Sequence, residues 1–320
     1  PDPMSRSSAQ MSPVSRSGDL LFRSVCLAMV CVVLLLVVLV GWTLWQGSSG
    51  VFGKFGFKFL TGSEWDPVSG TFGVLPFIYG TVVSSVLALL IATPLAVATA
   101  VYLTELAPLW IRQPLTSLVE MLAAVPSVIF GLWGIFVMIP WLEADVVPTL
   151  EKLFGWTPFF RPPFYGPSML AASLIIAVMI LPIITSVSRE ILRSVPDLQR
   201  EAAYGLGATR WEVTRIAVLS YAKSGIFGAM ILGLGRALGE TMAVTMLIGN
   251  TPKISLSLLA PGHTLASVIA NEFTEATTDD YLHALFAAGL VLLGVTVIVN
   301  LFAQLLLKAF AGSAGGPARG

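Results

Sequence analysis

The sequence predicts an all-α, polytopic membrane protein with six transmembrane helices and one small external hairpin, and two observations carry that prediction. Of its 320 residues 56% are hydrophobic and only 11% are charged, against roughly 25% charged in a typical soluble domain. Six apolar runs are each long enough for the roughly 20 residues that a bilayer core demands. A formal net charge of zero and the lack of a basic domain argue against a nucleic-acid partner.

Taken in order, residues 1–19 are polar, rich in Ser and Pro, and carry Arg6 and Arg16, which reads as a disordered cytoplasmic tail. Residues 20–45 form the first span, since the apolar region of a cleaved signal peptide would usually run only about 7 to 15 residues. Cys26 and Cys31 lie in this run on different sides of a helix and read as small apolar residues, not as a redox or metal pair. Residues 46–71 form an external loop. Within it Phe55, Phe57 and Phe59 alternate with Gly56 and Lys58, the pattern of a half-buried strand, and Asp66-Pro67 to Gly70 supplies the turn of a hairpin. The core, residues 72–310, holds five further spans at about 72–103, 115–142, 167–187, 216–248 and 283–310, before a short C-terminal tail at 311–320.

With the N-terminus placed in the cytoplasm, twelve Lys and Arg fall inside, five fall outside and Arg236 lies within the membrane, which accounts for all 18. The excess predicts that both termini are cytoplasmic. The loop over 143–166, with Trp156, Pro158, Pro162 and Pro163, suits a rigid surface segment. In the last external loop Thr264 is placed to cap a short helix through Phe273, ahead of Glu272, Glu275, Asp279 and Asp280. These acids lack the spacing of an EF-hand calcium loop; they read either as a solvated loop or as a docking surface for an external partner. Pro76, Pro94, Pro126, Pro140 and Pro182 fall inside spans and predict kinks, which suits helices around a cavity.

Two stretches carry function. The first is SVPDLQREAAYGLGATRWEVTRIAVLS, residues 194–220, on the cytoplasmic side between the fourth and fifth spans. It parses as two short helices: Asp197 caps the first, Gly205 and Gly207 end it, and Thr209 with Glu212 forms a capping box that starts the second. The result is a bent elbow, within residues 188–215, that exposes Glu201, Ala202 and Ala203 as a small, nearly flat surface able to enter a groove on another protein.

The second is LGLGRALGETMAV, residues 232–244, where Arg236 and Glu240 sit one helical turn apart in an apolar segment. An ionised side chain near the bilayer centre costs roughly 2.5 to 3.5 kcal/mol on insertion scales, so such a residue marks a functional site by default. Gly225, Gly228, Gly235 and Gly239 form one stripe that lets another helix approach. Ala229, Gly233, Arg236 and Glu240 occupy the neighbouring arc, which leaves room beside the charged pair. The guanidinium offers five donors in a planar fork that matches phosphate oxygens. Glu240 has three readings: it neutralises Arg236 when no substrate is bound, it accepts a hydrogen bond from a protonated phosphate oxygen, or the pair only locks two helices together.

Glu201-Ala202-Ala203 followed by Gly207 resembles the EAA signature of bacterial ABC importer permeases, whose elbow docks into a cleft of the ATP-hydrolysing subunit. That signature usually continues with a spaced Ile and then Leu-Pro, where this chain has Ala217 and then Leu219-Ser220. GTFGVLPFIYGT over 70–81, EAAYGLGATRWEV, and LGLGRALGETMAVTMLIGN through Asn250 together resemble the PstC type of phosphate permease, from about Phe57 to Phe310. The resemblance implies a type I importer permease fold in the plasma (inner) membrane, with residues 72–310 as the permease core. It also implies an ATP-driven importer of inorganic phosphate made from this chain, a second related permease, two copies of an ATPase and an external phosphate-binding protein. ATP and Mg would belong to the ATPase, and no cofactor to this chain.

Arg236 and Glu240 sum to zero charge, too little for a divalent anion, so a further positive source must converge on the site. The resemblance places it on the second permease, with helix N-termini as a lesser contributor. Other readings are import of molybdate or sulfate, an intramembrane enzyme, and a passive channel. His263 and His283 lack HExxH spacing, nothing matches a P-loop, and a channel has no need of the elbow.

Overall fold

A computed structural model of the chain describes residues 16–312, so the expected tails lie largely outside the described residues. The first apolar run forms α1, Arg16–Phe55, which extends well past the predicted span at both ends. Gly56 stops it with φ +53°, a left-handed backbone that glycine adopts without steric cost. One helical turn follows at Lys58–Thr61, then a hairpin of β1, Trp65–Asp66, and β2, Thr71–Phe72, antiparallel with Trp65 opposite Phe72 and Asp66 opposite Thr71.

The strand expected over Phe55 to Phe59 is therefore corrected to the end of one helix and the start of another turn. Three alternating positions set no period against a glycine that terminates a helix, and the phenylalanines pack edge-on instead, Phe52 on Phe59 and Phe55 on Phe72. The turn is as expected: the Asp66 carboxylate accepts the Val68 N–H at 3.0 Å, and Gly70 takes φ +71°.

Next come α2, Leu75–Val101, extended by a wide π turn over Tyr102–Leu106; α3, Leu109–Ala123; α4, Ser127–Phe154; and α5, Met169–Arg193. The elbow holds α6, Asp197–Gly205, and α7 runs Arg210–Leu238. The chain closes with α8, Met242–Leu247, α9, Leu265–Glu272, and α10, Asp279–Gly312. Among the described residues, six helices are long and apolar enough to cross a membrane: within α1, α2 with its π turn, α4, α5, α7 and within α10.

The third span differs from the expected 115–142. Pro126 lacks an N–H and biases Val125 away from the helical region, so the chain stops at Ala123 and restarts at Ser127. The apolar run thus joins the end of α3, an amphipathic helix with no buried residue, to the start of the true span α4. That span passes through Glu143 and Asp145, both exposed. Its π turns at Gly134–Met138 and Leu142–Val146 each end just ahead of a proline, Pro140 and Pro148, where a widened register accommodates the missing donor.

The core forms where small residues let helices close up. Ala88, Ala92, Ala96 and Ala100, at four-residue spacing on α2, have no exposed surface, and this seam seats α5 with Ile176, Ile180 and Ile184. Close approach through small side chains is the usual basis of helix association in a bilayer. A second, aromatic cluster joins Trp65, Phe72, Phe77 and Tyr281 at the hairpin end, while a third joins Leu192, Val195, Val218 and Ile226 at the elbow end. Thr264 caps α9 as expected, in a capping box with Ser267. The loop ahead of it lies against α2 so closely that a Cβ on Gly80 would sit 1.9 Å from the His263 carbonyl oxygen. The α1 helix packs against α10 and leaves the rest of its apolar surface open.

Candidate functional site

Arg236 and Glu240 do not share one continuous helix. The α7 helix stops at Leu238, Gly239 and Thr241 leave the helical ladder, and α8 starts at Met242, so the span expected over 216–248 is broken inside its apolar run. Glycine in a helix interior costs about 1 kcal/mol relative to alanine, and the Glu240 carboxylate offers the chain an alternative partner. Its Oε1 accepts the Ala243 N–H at 3.4 Å, in the first turn of α8, and its Oε2 lies 3.7 Å from Arg236 Nη2.

The two side chains sit in different environments: Glu240 is only 5% exposed and Arg236 is 45% exposed. The carboxylate is thus held between the end of one helix and the start of the next. The guanidinium looks outward from the bundle with most of its donors uncommitted. That arrangement suits a cation waiting for an anion, with a fixed counter-charge at its base.

The small-residue stripe also needs correction. A Cβ on Gly228 or Gly235 would meet nothing within 4 Å, whereas one on Gly225 would strike Ile191 and one on Gly233 would strike Ile184, both from α5. Ala229 and Gly233 are therefore filled against α5 and leave no void. The open face of α7 is instead the line of Tyr221, Ser224, Gly228, Leu232 and Gly235 that leads to Arg236.

At the other end of α7 lies the elbow. Pro196, not Asp197, occupies the position before α6; Asp197 sits in its first turn and accepts from Arg200 Nη1 at 3.1 Å. Proline pre-sets the φ of a helix start, which leaves the aspartate free for that pairing. Gly207 takes φ +84°, and Thr209 with Glu212 makes the expected capping box. Glu201 and Ala202 are exposed and Ala203 is half-buried. Leu198 and Ala202 on α6, with Leu206 just past its end, form an exposed apolar stripe.

What fastens this elbow is set by residues far apart in the sequence. Arg200 Nη2 reaches Glu105 Oε1 at 3.0 Å and the Leu192 carbonyl at 2.9 Å, while Arg210 Nη2 donates to the Glu105 carbonyl at 2.8 Å. Arg200 and Glu105 are only 17% and 14% exposed. Both arms of the elbow are thereby pinned to one residue in the π turn that ends α2. A lone acid closing an apolar span, with two arginines far along the chain, was the available signal.

Six spans, a helical elbow with an open apolar face and a charged pair at a helix break together define the membrane component of a transporter. Residues 92–312 match the family described as binding-protein-dependent transport system inner membrane component, and the chain belongs to that family. Within it the chain groups with the phosphate transport system permease proteins PstC. It is 44% identical to the one from Mesorhizobium japonicum, over 90% of each chain. It is 43% identical to that of Pasteurella multocida, over 90% of this chain and 91% of the relative. The fold is similar to that of a bacterial ABC transporter involved in the import of the acidic polysaccharide alginate, with TM-score 0.54 and 18% identity over 90% of this chain and 98% of that one.

Proposed function

We propose that this chain is the permease subunit of an ATP-driven importer of inorganic phosphate, in which Arg236 binds the anion as it crosses. The single observation that carries the mechanism is that α7, widened into a π turn over Val213–Val218, continues as one helical span from the elbow to Arg236. The names of the relatives carry the choice of phosphate over molybdate or sulfate. The chain hydrolyses nothing itself.

Its partners are a second permease, seated on the open face of α7; two copies of an ATPase that hold ATP and Mg; and an external phosphate-binding protein. Both termini and the elbow lie in the cytoplasm of a plasma-membrane protein. The ATPase grips Glu201, Ala202, Ala203 and the Gly207 bend, using the apolar stripe of α6. Closure of the ATPase pair moves the elbow, and α7 carries that motion to Arg236.

At the site the guanidinium presents parallel donors to two phosphate oxygens. Glu240 holds Arg236 between cycles and can accept from a protonated phosphate oxygen, which fully ionised sulfate does not carry. Because the pair is neutral in sum, the second permease supplies further positive charge across the open face. Two charge-assisted hydrogen bonds at roughly 1.5 kcal/mol each make about a hundredfold. Arg236→Gln should therefore lower ATP-dependent phosphate uptake into vesicles by at least that factor with the complex still assembled. Normal uptake by that variant would end the assignment.

A further inference from the structure

A second cationic site lies at the elbow end of the bundle, away from Arg236. It is a cleft of about 310 Å³ between α3 and the end of α5, lined by Arg112, Gln113, Thr116, Ser117, Arg189 and Arg193. Arg189 and Arg193, four residues apart, share one face of the last turns of α5, and Arg112 meets them from α3. No carboxylate lines the cleft. Glu120, which accepts from Arg189 Nη2 at 3.0 Å, neutralises one of the three guanidiniums, so two positive charges remain.

The arginines are held in place yet not saturated. Arg112 Nη2 donates to the carbonyls of Thr104 at 2.9 Å and Ala107 at 3.4 Å, and Arg189 Nη1 donates to the Thr116 hydroxyl. The Nε atoms of both Arg112 and Arg189 are buried without an acceptor. Those two atoms face protein, so what the cleft offers a ligand is the remaining guanidinium N–H groups of its three lining arginines. Thr116, Ser117 and Gln113 add neutral donors beside the forks, a set that matches the oxygens of a tetrahedral phosphate group.

The surroundings indicate how such a group would arrive. The α3 helix buries no residue and exposes Leu109, Trp110, Leu118 and Met121 alongside the polar residues of the cleft. An amphipathic helix with Trp and a basic pocket alongside it has the character of a segment lying at the headgroup level of a bilayer. We infer that this cleft binds a phosphate group, presented by an anionic lipid headgroup at the membrane surface, as a site separate from the one that Arg236 serves.

The test uses the whole assembled transporter in detergent, with phosphatidylglycerol, phosphatidylcholine and inorganic phosphate as probes and retained ligand counted by native mass spectrometry. Wild type should hold phosphatidylglycerol about tenfold more tightly than phosphatidylcholine, what one charge-assisted contact supplies. Arg193→Gln, at an exposed position, should remove that preference without loss of assembly. If Arg193→Gln loses inorganic phosphate and leaves lipid retention unchanged, the phosphate group comes from the free ion and the shared chemistry stands. If neither ligand separates the variant from wild type, the inference is overturned. Should that variant fail to assemble, Ser117→Glu, which sets a carboxylate at the exposed lip, must give the same loss. The result is independent of uptake, so a failure here and a failure of Arg236→Gln are distinguishable.

Discussion

Lowering the pH toward 5 should weaken this protein through one buried histidine. His263 is 2% exposed, its ring edge meets Phe77 with centroids 5.0 Å apart, and burial pushes its pKa down from 6.5 to about 4. The geometry favours the same neutral form: Nδ1 accepts the Thr264 N–H at 3.2 Å and lies 2.7 Å from the Ser267 hydroxyl, so a proton there would displace an existing donor. Above pH 6.5 neither folded nor unfolded chain binds the proton, and stability is unaffected. Between 6.5 and about 4 the unfolded chain binds it and the folded one does not, so stability falls as pH falls. Below that window both bind it and the loss levels off.

At 1.36 kcal/mol per unit the full loss is roughly 3 kcal/mol, of which about 2 kcal/mol is spent by pH 5. The assay is the thermal midpoint of the purified complex at pH 7 and pH 5, compared with His263→Asn, whose amide oxygen can replace Nδ1 as acceptor. Wild type should lose about 4 °C more than the variant. Equal losses in the two proteins would refute the reasoning.

Two further outcomes test the frame around the site. Arg200→Ala leaves Glu105 in a largely buried position without its partner, at a cost of about 3 kcal/mol, and should raise ATP hydrolysed per phosphate imported; an unchanged ratio would show that the clamp plays no part in coupling. Gly80→Ala drives a methyl into the His263 carbonyl and should destabilise by about 3 kcal/mol, whereas Gly53→Ala, which meets nothing within 4 Å, should change stability by less than about 1 kcal/mol; the midpoints of the two variants decide it.

Length and hydropathy were enough to read six spans, because burial in lipid imposes the same demand on every one of them. Local chemistry was equally legible where it acts through neighbours in sequence: the Thr209–Glu212 and Thr264 caps and the Asp66 turn all form. What escaped was decided by residues far apart. Glu105 meets Arg200 and Arg210 only after α2, α6 and α7 have packed, and the four-residue alanine spacing on α2 does not say which helix it receives. Gly239, one of the four glycines of the expected stripe, marks a helix break, since a small residue serves either purpose until the opposing surface is known. Pro126 does more than kink a span: it sets where the third span begins.

If a second permease seats on the open face of α7 as proposed, the outward-facing Arg236 has a consequence for a copy of this chain without it. The bundle interior between α2, α5 and α8 is filled by Ala88, Ala92, Ile176, Ile180, Val244 and Leu247, and Arg236 looks away from it. An orphan subunit therefore gives an ion a ledge and no lumen to follow. On the proposed assembly, excess chain in the membrane should stay sealed against leakage, and the conduit should form only with the second permease.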